Sequence, residues 1–234
     1  YARHVHNPLL FPTFISTVQA FIEQTMNGIL PKRMMSSLIV LIQGYAGGLA
    51  CAACLTAFAS FTRLGSDLLE TLTAMFNPLP AIALLPLALV WFGLGSGSVI
   101  FVLMHSVLWA VALNTHAGFL SVSPTLRMVG NNYGLSPFKY LTKLLLPAAF
   151  PHILTGLKVG WAFAWRTLIA AELVFGVSSG SGGLGWFIYE NKNDLEIANV
   201  FAGLFTVIVI GLIVENLIFL QIERRTLQKW GLQN

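Results

Sequence analysis

The sequence predicts an all-α, polytopic membrane protein. Charged residues are 9% of the 234-residue chain, against roughly 25% in soluble domains. Hydrophobic residues are 56%, so a water-soluble fold could not cover itself with polar surface. The apolar residues also fall in long stretches, and a bilayer crossing needs about 20 of them. The net charge of +4 makes no case for nucleic acid, because Lys and Arg sit beside apolar segments and do not share one face.

In chain order, Thr13 caps a possible helix in which Phe14, Val18, Phe21, Ile22 and Ile29 line one side. That pattern reads as an amphipathic element on the membrane surface. Five candidate crossings follow, at 37–61, 79–94, 99–117, 153–174 and 200–221, with a second surface helix over 66–76. The second crossing is short, follows Pro78 and carries Pro80 and Pro86. It is expected to be kinked or enclosed by neighbours. Gly44 with Gly48 and Gly156 with Gly160 make two G-x-x-x-G spacings, which allow close helix approach and indicate a compact bundle. Cys51 and Cys54, three apart in an apolar helix, read as small packing residues.

Between the third and fourth crossings lies a basic loop with strong helix punctuation. Ser123 with Pro124 caps a short helix that closes at Gly134, and Ser136 with Pro137 opens a second that must stop before Pro147. Leu126, Val129 and Tyr133 fall at i, i+3, i+7 and give the first helix one apolar stripe. On residues alone, an interfacial hairpin without a partner stays open beside a docking element.

Lys and Arg placement sets the orientation. Arg63, Arg127, Lys139, Lys143, Arg224, Arg225 and Lys229 fall on one side, and Lys192, Arg3, Lys32 and Arg33 on the other, seven against four. The loop and the C-terminus are therefore expected in the cytoplasm of a multi-pass protein of the bacterial plasma (inner) membrane. Five crossings leave the N-terminus outside, so a first span is expected upstream of Tyr1. The expected layout is an external segment over 1–36, a transmembrane domain over 37–222 containing the loop 118–149, and a basic tail over 223–234.

From Asn7 onward the order of short motifs resembles the nitrate/sulfonate/taurine subgroup of binding-protein-dependent ABC importer permeases. The matching pieces include Leu10-Phe11-Pro12, Asn77-Pro78-Leu79-Pro80-Ala81 and Trp91-Phe92-Gly93-Leu94-Gly95. Further on come Asn132-Tyr133-Gly134-Leu135-Ser136, Leu146-Pro147-Ala148-Ala149, Ala171-Glu172, Gly183-Leu184-Gly185-Trp186 and Glu223-Arg224-Arg225. The resemblance implies the type I importer permease core. It makes the loop a coupling element whose contacts would come from Leu126, Arg127, Val129, Asn131, Asn132, Tyr133, Gly134, Ser136, Pro137, Leu146 and Pro147. It also implies a second permease copy, two cytoplasmic ABC ATPase subunits and an external solute-binding protein. The family loop usually begins Glu-Ala-Ala, and here those positions hold Met128, Val129 and Gly130. Arg127, Asn131 and Asn132 are then expected to carry the polar docking contacts.

The chain has no G-x-x-x-x-G-K-[ST] phosphate loop, so ATP and Mg are expected in the partner ATPase and no catalytic residue is assigned. His105, His116 and His152 lack ligand-spaced neighbours, and no metal site is expected. Charges at membrane depth are costly and normally face a bundle interior or a wet cavity. Arg166 lies mid-span and is the sharpest candidate for meeting an anionic solute, beside the structural alternative of a salt bridge or a bond to a carbonyl on a neighbouring helix; Trp161 and Trp165 could line the pathway as stacking surfaces. Glu172 is placed near the outer end of the same span, in a gating or structural role. Lys158 and Glu215 lie at similar depth and are expected to pair. The competing reading is a stand-alone secondary transporter or channel, which would call for inverted repeats or several buried acids.

Overall fold

The computed structural model describes residues 11–175 and 182–228, and the regular structure among them is helical throughout. The elements are α1 (Phe14–Met26), α2 (Ile29–Phe61), α3 (Arg63–Phe76), a 3-10 turn (Ala81–Leu84), α4 (Leu85–Phe92) and α5 (Ser96–Ser121). After these come α6 (Pro124–Asn132), α7 (Pro137–Tyr140), a π turn (Leu141–Leu145) and α8 (Leu146–Phe175). The chain continues with α9 (Leu184–Asn193), α10 (Ile197–Ile213), a π segment (Val214–Phe219), α11 (Leu220–Glu223) and a last π segment (Arg224–Gln228). Arg3, Asn7, Leu10 and Lys229, which the orientation and the motif matches used, lie outside the described residues.

Three of the described helices are long and apolar enough to cross a membrane: Ile29–Phe61, Ser96–Ser121 and Ile197–Thr226. A fourth is reached if the bent pair of Arg63–Phe76 and Ala81–Phe92 counts as one broken span. The crossing predicted over 153–174 lies in α8, which has 30 residues and so spans about 45 Å at 1.5 Å per residue. Its length suffices, but Lys158, Arg166 and Glu172 dilute its apolar character. The expected count of five is thus not reached on length and apolarity alone.

Local chemistry explains where the elements start and stop. Thr13 Oγ1 accepts from the Ser16 amide at 3.2 Å and caps α1. Gly28, at φ +73°, separates α1 from α2, so Ile29 opens the second helix and does not extend the first stripe. α2 begins eight residues before the predicted crossing because Pro31 falls in its first turn, where backbone amides lack helical partners anyway. Thr62 caps α3 by accepting from the Gly65 amide at 2.9 Å. One expectation fails outright: the helix opened by Pro137 does not stop before Pro147. The chain stays helical through the π turn and enters α8 with Pro147 at its second residue. A wider turn just before a proline accommodates the amide hydrogen that proline lacks.

The described chain forms two compact units. One comprises Tyr1–Gly44, Ile82–Leu103 and Trp165–Val214. In it α10 packs against both α1 and α9. Leu30, Phe187 and Ile188 are buried there, with Phe21, Leu173, Val200 and Val207 around them. Phe21 meets Phe205 edge-on at 5.3 Å. Phe14 and Ile22 stay exposed. Arg33 forms an ion pair with Glu190 at 2.8 Å.

The other unit comprises Tyr45–Ala81, Met104–Ala164 and Glu215–Asn234. Here the G-x-x-x-G of α8 does what its spacing suggests: a Cβ on Gly156 would lie 2.9 Å from Asn114 Cβ. The α5 and α8 backbones approach to a separation that excludes a side chain. Lys158 pairs with Glu223, not with Glu215. Glu215 is exposed, and the acid two turns further on reaches the lysine across the helix pair.

Candidate functional site

The loop between α5 and α8 is built as a rigid shelf. Ser123 Oγ accepts from the Leu126 amide at 3.3 Å, with Pro124 in the first turn. At the other end Leu135 N–H donates to Gly130 O at 3.3 Å, and Gly134 N–H to Asn131 O at 3.0 Å. These two bonds make a Schellman closure, and Gly134 at φ +61° occupies the left-handed position that it requires. The predicted caps of α6 are therefore present. Ser136 precedes α7 with Pro137 in the first turn, but its side chain makes no capping bond.

α6 lies directly on α7 and the π turn because residue 130 is glycine. A Cβ there would sit 2.7 Å from Leu144 Cδ1 and 2.8 Å from Tyr140 Cε2. That contact gives a physical reason for Gly130 at a position where the family loop usually has alanine. Beneath the shelf Phe119, Val122, Leu144, Leu145 and Ala149 form a buried cluster.

The apolar stripe of α6 is not consumed by that cluster. Leu126, Val129 and Tyr133 keep 38%, 43% and 81% of their surface exposed. With Leu135, Leu144 and Pro147 they line an open hollow of about 570 Å³. Lys143 stands at its wall. Asn131 and Asn132 are exposed beside it, and Leu146 is 37% exposed. Arg127 also bonds within the loop: its Nε donates to Val122 O at 3.2 Å and its Nη2 to Phe119 O at 2.5 Å. These bonds hold its guanidinium against carbonyls at and just past the C-terminal end of α5.

Arg166, Trp161, Trp165 and Glu172 differ in exposure. Arg166 is exposed, and among the described residues it makes no hydrogen bond or ion pair. Trp165 is buried at 7% exposure and Glu172 at 1%. Trp161 is half-buried, edge-on to Tyr45 at 5.7 Å, while Tyr45 Oη donates to Leu157 O at 2.9 Å. Six residues separate Arg166 from Glu172, which turns them to different sides of one helix.

Glu172 instead completes a device that the sequence reading missed. Its carboxylate accepts from Ser37 Oγ at 2.8 Å and from the Gly185 amide at 2.9 Å. Ser37 Oγ in turn accepts from the Leu184 amide at 2.8 Å. These are the first two amides of α9, whose own preceding residue, Gly183, has no side chain to cap them. Two other helices supply the cap, and a carboxylate at a helix N-terminus is electrostatically favoured. A Cβ on Gly183 would collide with Glu172 Oε1, and one on Gly185 would lie 2.6 Å from Glu172 Cβ. The Gly183-Leu184-Gly185 motif was thus the available signal, since glycines flanking a helix start mark a close approach.

Helices long and apolar enough to cross a membrane place the chain among helical membrane proteins. Residues 44–227 match the model of the binding-protein-dependent transport system inner membrane component family, and the chain belongs to that family. It is 32% identical over 163 residues to the taurine transport system permease protein of Escherichia coli, covering 70% of this chain and 57% of that one. The nitrate import permease protein of Synechocystis is 28% identical over 186 residues, covering 80% of this chain and 66% of its own length. A Methanocaldococcus jannaschii protein, named provisionally as an ABC transporter permease, is 30% identical over 217 residues, or 91% of this chain and 79% of that one.

Proposed function

We propose that the chain is the membrane subunit of an ATP-driven importer that moves a small, anionic solute into the cytoplasm by alternating access. The observation that carries this is the exposed hollow at α6. Its walls are fixed by caps at both ends, yet Leu126, Val129 and Tyr133 remain open. Burying a large apolar side chain contributes roughly 1.5–3 kcal/mol, so three such residues on a rigid shelf suit a protein partner. In this reading the partner is one of two cytoplasmic ABC ATPase subunits, which bind ATP and Mg. Their closure pushes on α6, and the continuous path from α7 through the π turn into α8 carries the displacement into the membrane. A second permease copy completes the membrane part, and a solute-binding protein delivers cargo from outside. The loop and C-terminus then face the cytoplasm of the inner membrane.

The anionic cargo rests on two supports. Relatives named for taurine and nitrate handle small, negatively charged groups. Arg166 offers an exposed guanidinium far from either end of α8 without a counter-charge among the described residues, and its fork suits sulfonate, nitrate or carboxylate oxygens. The test is uptake of labelled taurine and nitrate by proteoliposomes holding the permease, its ATPase and its binding protein. Uptake of one of them that requires hydrolysable ATP supports the reading. Uptake without nucleotide hydrolysis would instead favour a stand-alone transporter.

A further inference from the structure

The joint between α9 and α10 closes in a way that its sequence does not suit. Leu195 N–H donates to Lys192 O at 3.3 Å and Glu196 N–H to Asn191 O at 2.9 Å. This is the Schellman pattern, which puts the residue after the cap in the left-handed region. Leu195 stands there at φ +61°, the one described non-glycine residue with a positive φ. α6 closes through the same pair of bonds, but with Gly134 at that position. In a leucine the Cβ crowds the following carbonyl oxygen. The side chain is 62% exposed, so burial does not offset the crowding.

Such strain persists only where surrounding contacts over-determine the backbone, and α9 is held by its neighbours. Its first two amides, Leu184 and Gly185, donate to Ser37 Oγ at 2.8 Å and to Glu172 at 2.9 Å. Both acceptors belong to other helices, and Ser37 is fully buried. One turn before Ser37, Arg33 pairs with Glu190 towards the far end of α9. Residues 33 and 37 share one face of α2, so α2 grips α9 at two points. A Cβ on Gly182 would lie 2.5 Å from Arg33 Nη1, which brings the arginine over the approach to α9 as well. The Glu190 side chain is 43% exposed, so the ion pair can part without leaving a fully buried charge alone.

From the strained joint and the borrowed grip we propose that α9 is a sprung lid. Docked, it covers the Ser37–Glu172 pair and holds Leu195 in the left-handed conformation. Released, it uncovers that pair and lets Leu195 relax. The grip of α2 and α8 favours docking, and the joint opposes it. Eleven residues separate Leu195 from Leu184, about 16 Å at 1.5 Å per residue, so the joint acts on the cap through the length of α9. The lid needs neither nucleotide nor partner subunit, and the inference stands apart from the importer reading.

Amide hydrogen exchange of the purified chain in lipid nanodiscs tests it, because a local release exposes amides without global unfolding. Leu184 and Gly185 are expected to exchange faster than Val107, a buried residue of α5. Leu195→Asn and Leu195→Gly, which suit the left-handed region, should slow both amides about fivefold. Arg33→Gln should speed both about tenfold. Val107 should keep its wild-type rate in all three variants. Exchange of Leu184 and Gly185 only together with Val107 would overturn the inference, since α9 would then have no released state of its own. Unchanged or faster exchange of both amides in the two Leu195 variants would overturn it equally, since the joint would not oppose docking.

Discussion

Ser37 Oγ lies 2.8 Å from one carboxylate oxygen of Glu172 and 2.9 Å from the other, while accepting from the Leu184 amide. One hydroxyl and one carboxylate thereby stand in for the cap that α9 lacks. Removing Glu172 leaves the Gly185 amide and the Ser37 hydroxyl buried without that acceptor, a loss of about 1–3 kcal/mol. Glu172→Ala should therefore lower the thermal transition of the detergent-purified protein clearly. Glu172→Gln, which keeps one acceptor oxygen, should lie between it and the wild type.

Arg127 gives a prediction of opposite kind. Because its guanidinium donates to Phe119 O and Val122 O, Arg127→Ala should destabilise the loop by roughly 1.5–3 kcal/mol. Well below the transition temperature, ATPase binding by this variant should remain within about threefold of wild type. A loss comparable to that of an α6 stripe variant would assign Arg127 to the docking contacts after all.

Gly134 supplies a backbone test. A non-glycine residue at φ +61° costs roughly 1–2 kcal/mol. Gly134→Ala should loosen the C-terminal end of α6, and faster amide exchange at Gly134 and Leu135, whose N–H groups make the closing bonds, would register it.

The Lys158–Glu223 pair offers a charge test within the helix pair. Both side chains are mostly buried, at 27% and 24% exposure, so Lys158→Ala should cost about 1–3 kcal/mol by leaving Glu223 unpaired. Glu215→Gln, on an exposed side chain, should change stability by less than about 0.5 kcal/mol.

Arg166 is tested by transport and not by stability. Since it makes no bond or ion pair among the described residues, Arg166→Ala should leave the thermal transition in place while lowering uptake of an anionic solute at least tenfold. Undiminished uptake would remove Arg166 from the pathway.

Much of this architecture was legible in the residues themselves. Composition and apolar run length give the class. Ser123, Pro124 and Gly134 mark both ends of α6, because capping chemistry is local. The failures are equally instructive. Pro147 reads as a stop, yet a π turn carries the helix past it, and single-residue preferences do not encode that wider turn. Lys158 was matched by depth to Glu215, but depth does not fix which side of a helix a charge faces. The bonds from Arg127 to Phe119 O and Val122 O were not legible either, because a side chain reaching back five and eight residues leaves no local pattern. The Ser37–Glu172–Gly185 cap joins residues 135 and 13 positions apart. Long-range pairing of that sort has no signature beyond the two glycines that make room for it.

The central claim is that the hollow on α6 receives an ATPase. Quantitative co-purification of the partner ATPase with the wild type, Tyr133→Ala and Val129→Asp tests it directly. The account predicts at least tenfold weaker capture by Tyr133→Ala and near-complete loss with Val129→Asp, in variants whose thermal transitions match the wild type. Wild-type capture by both variants would contradict it.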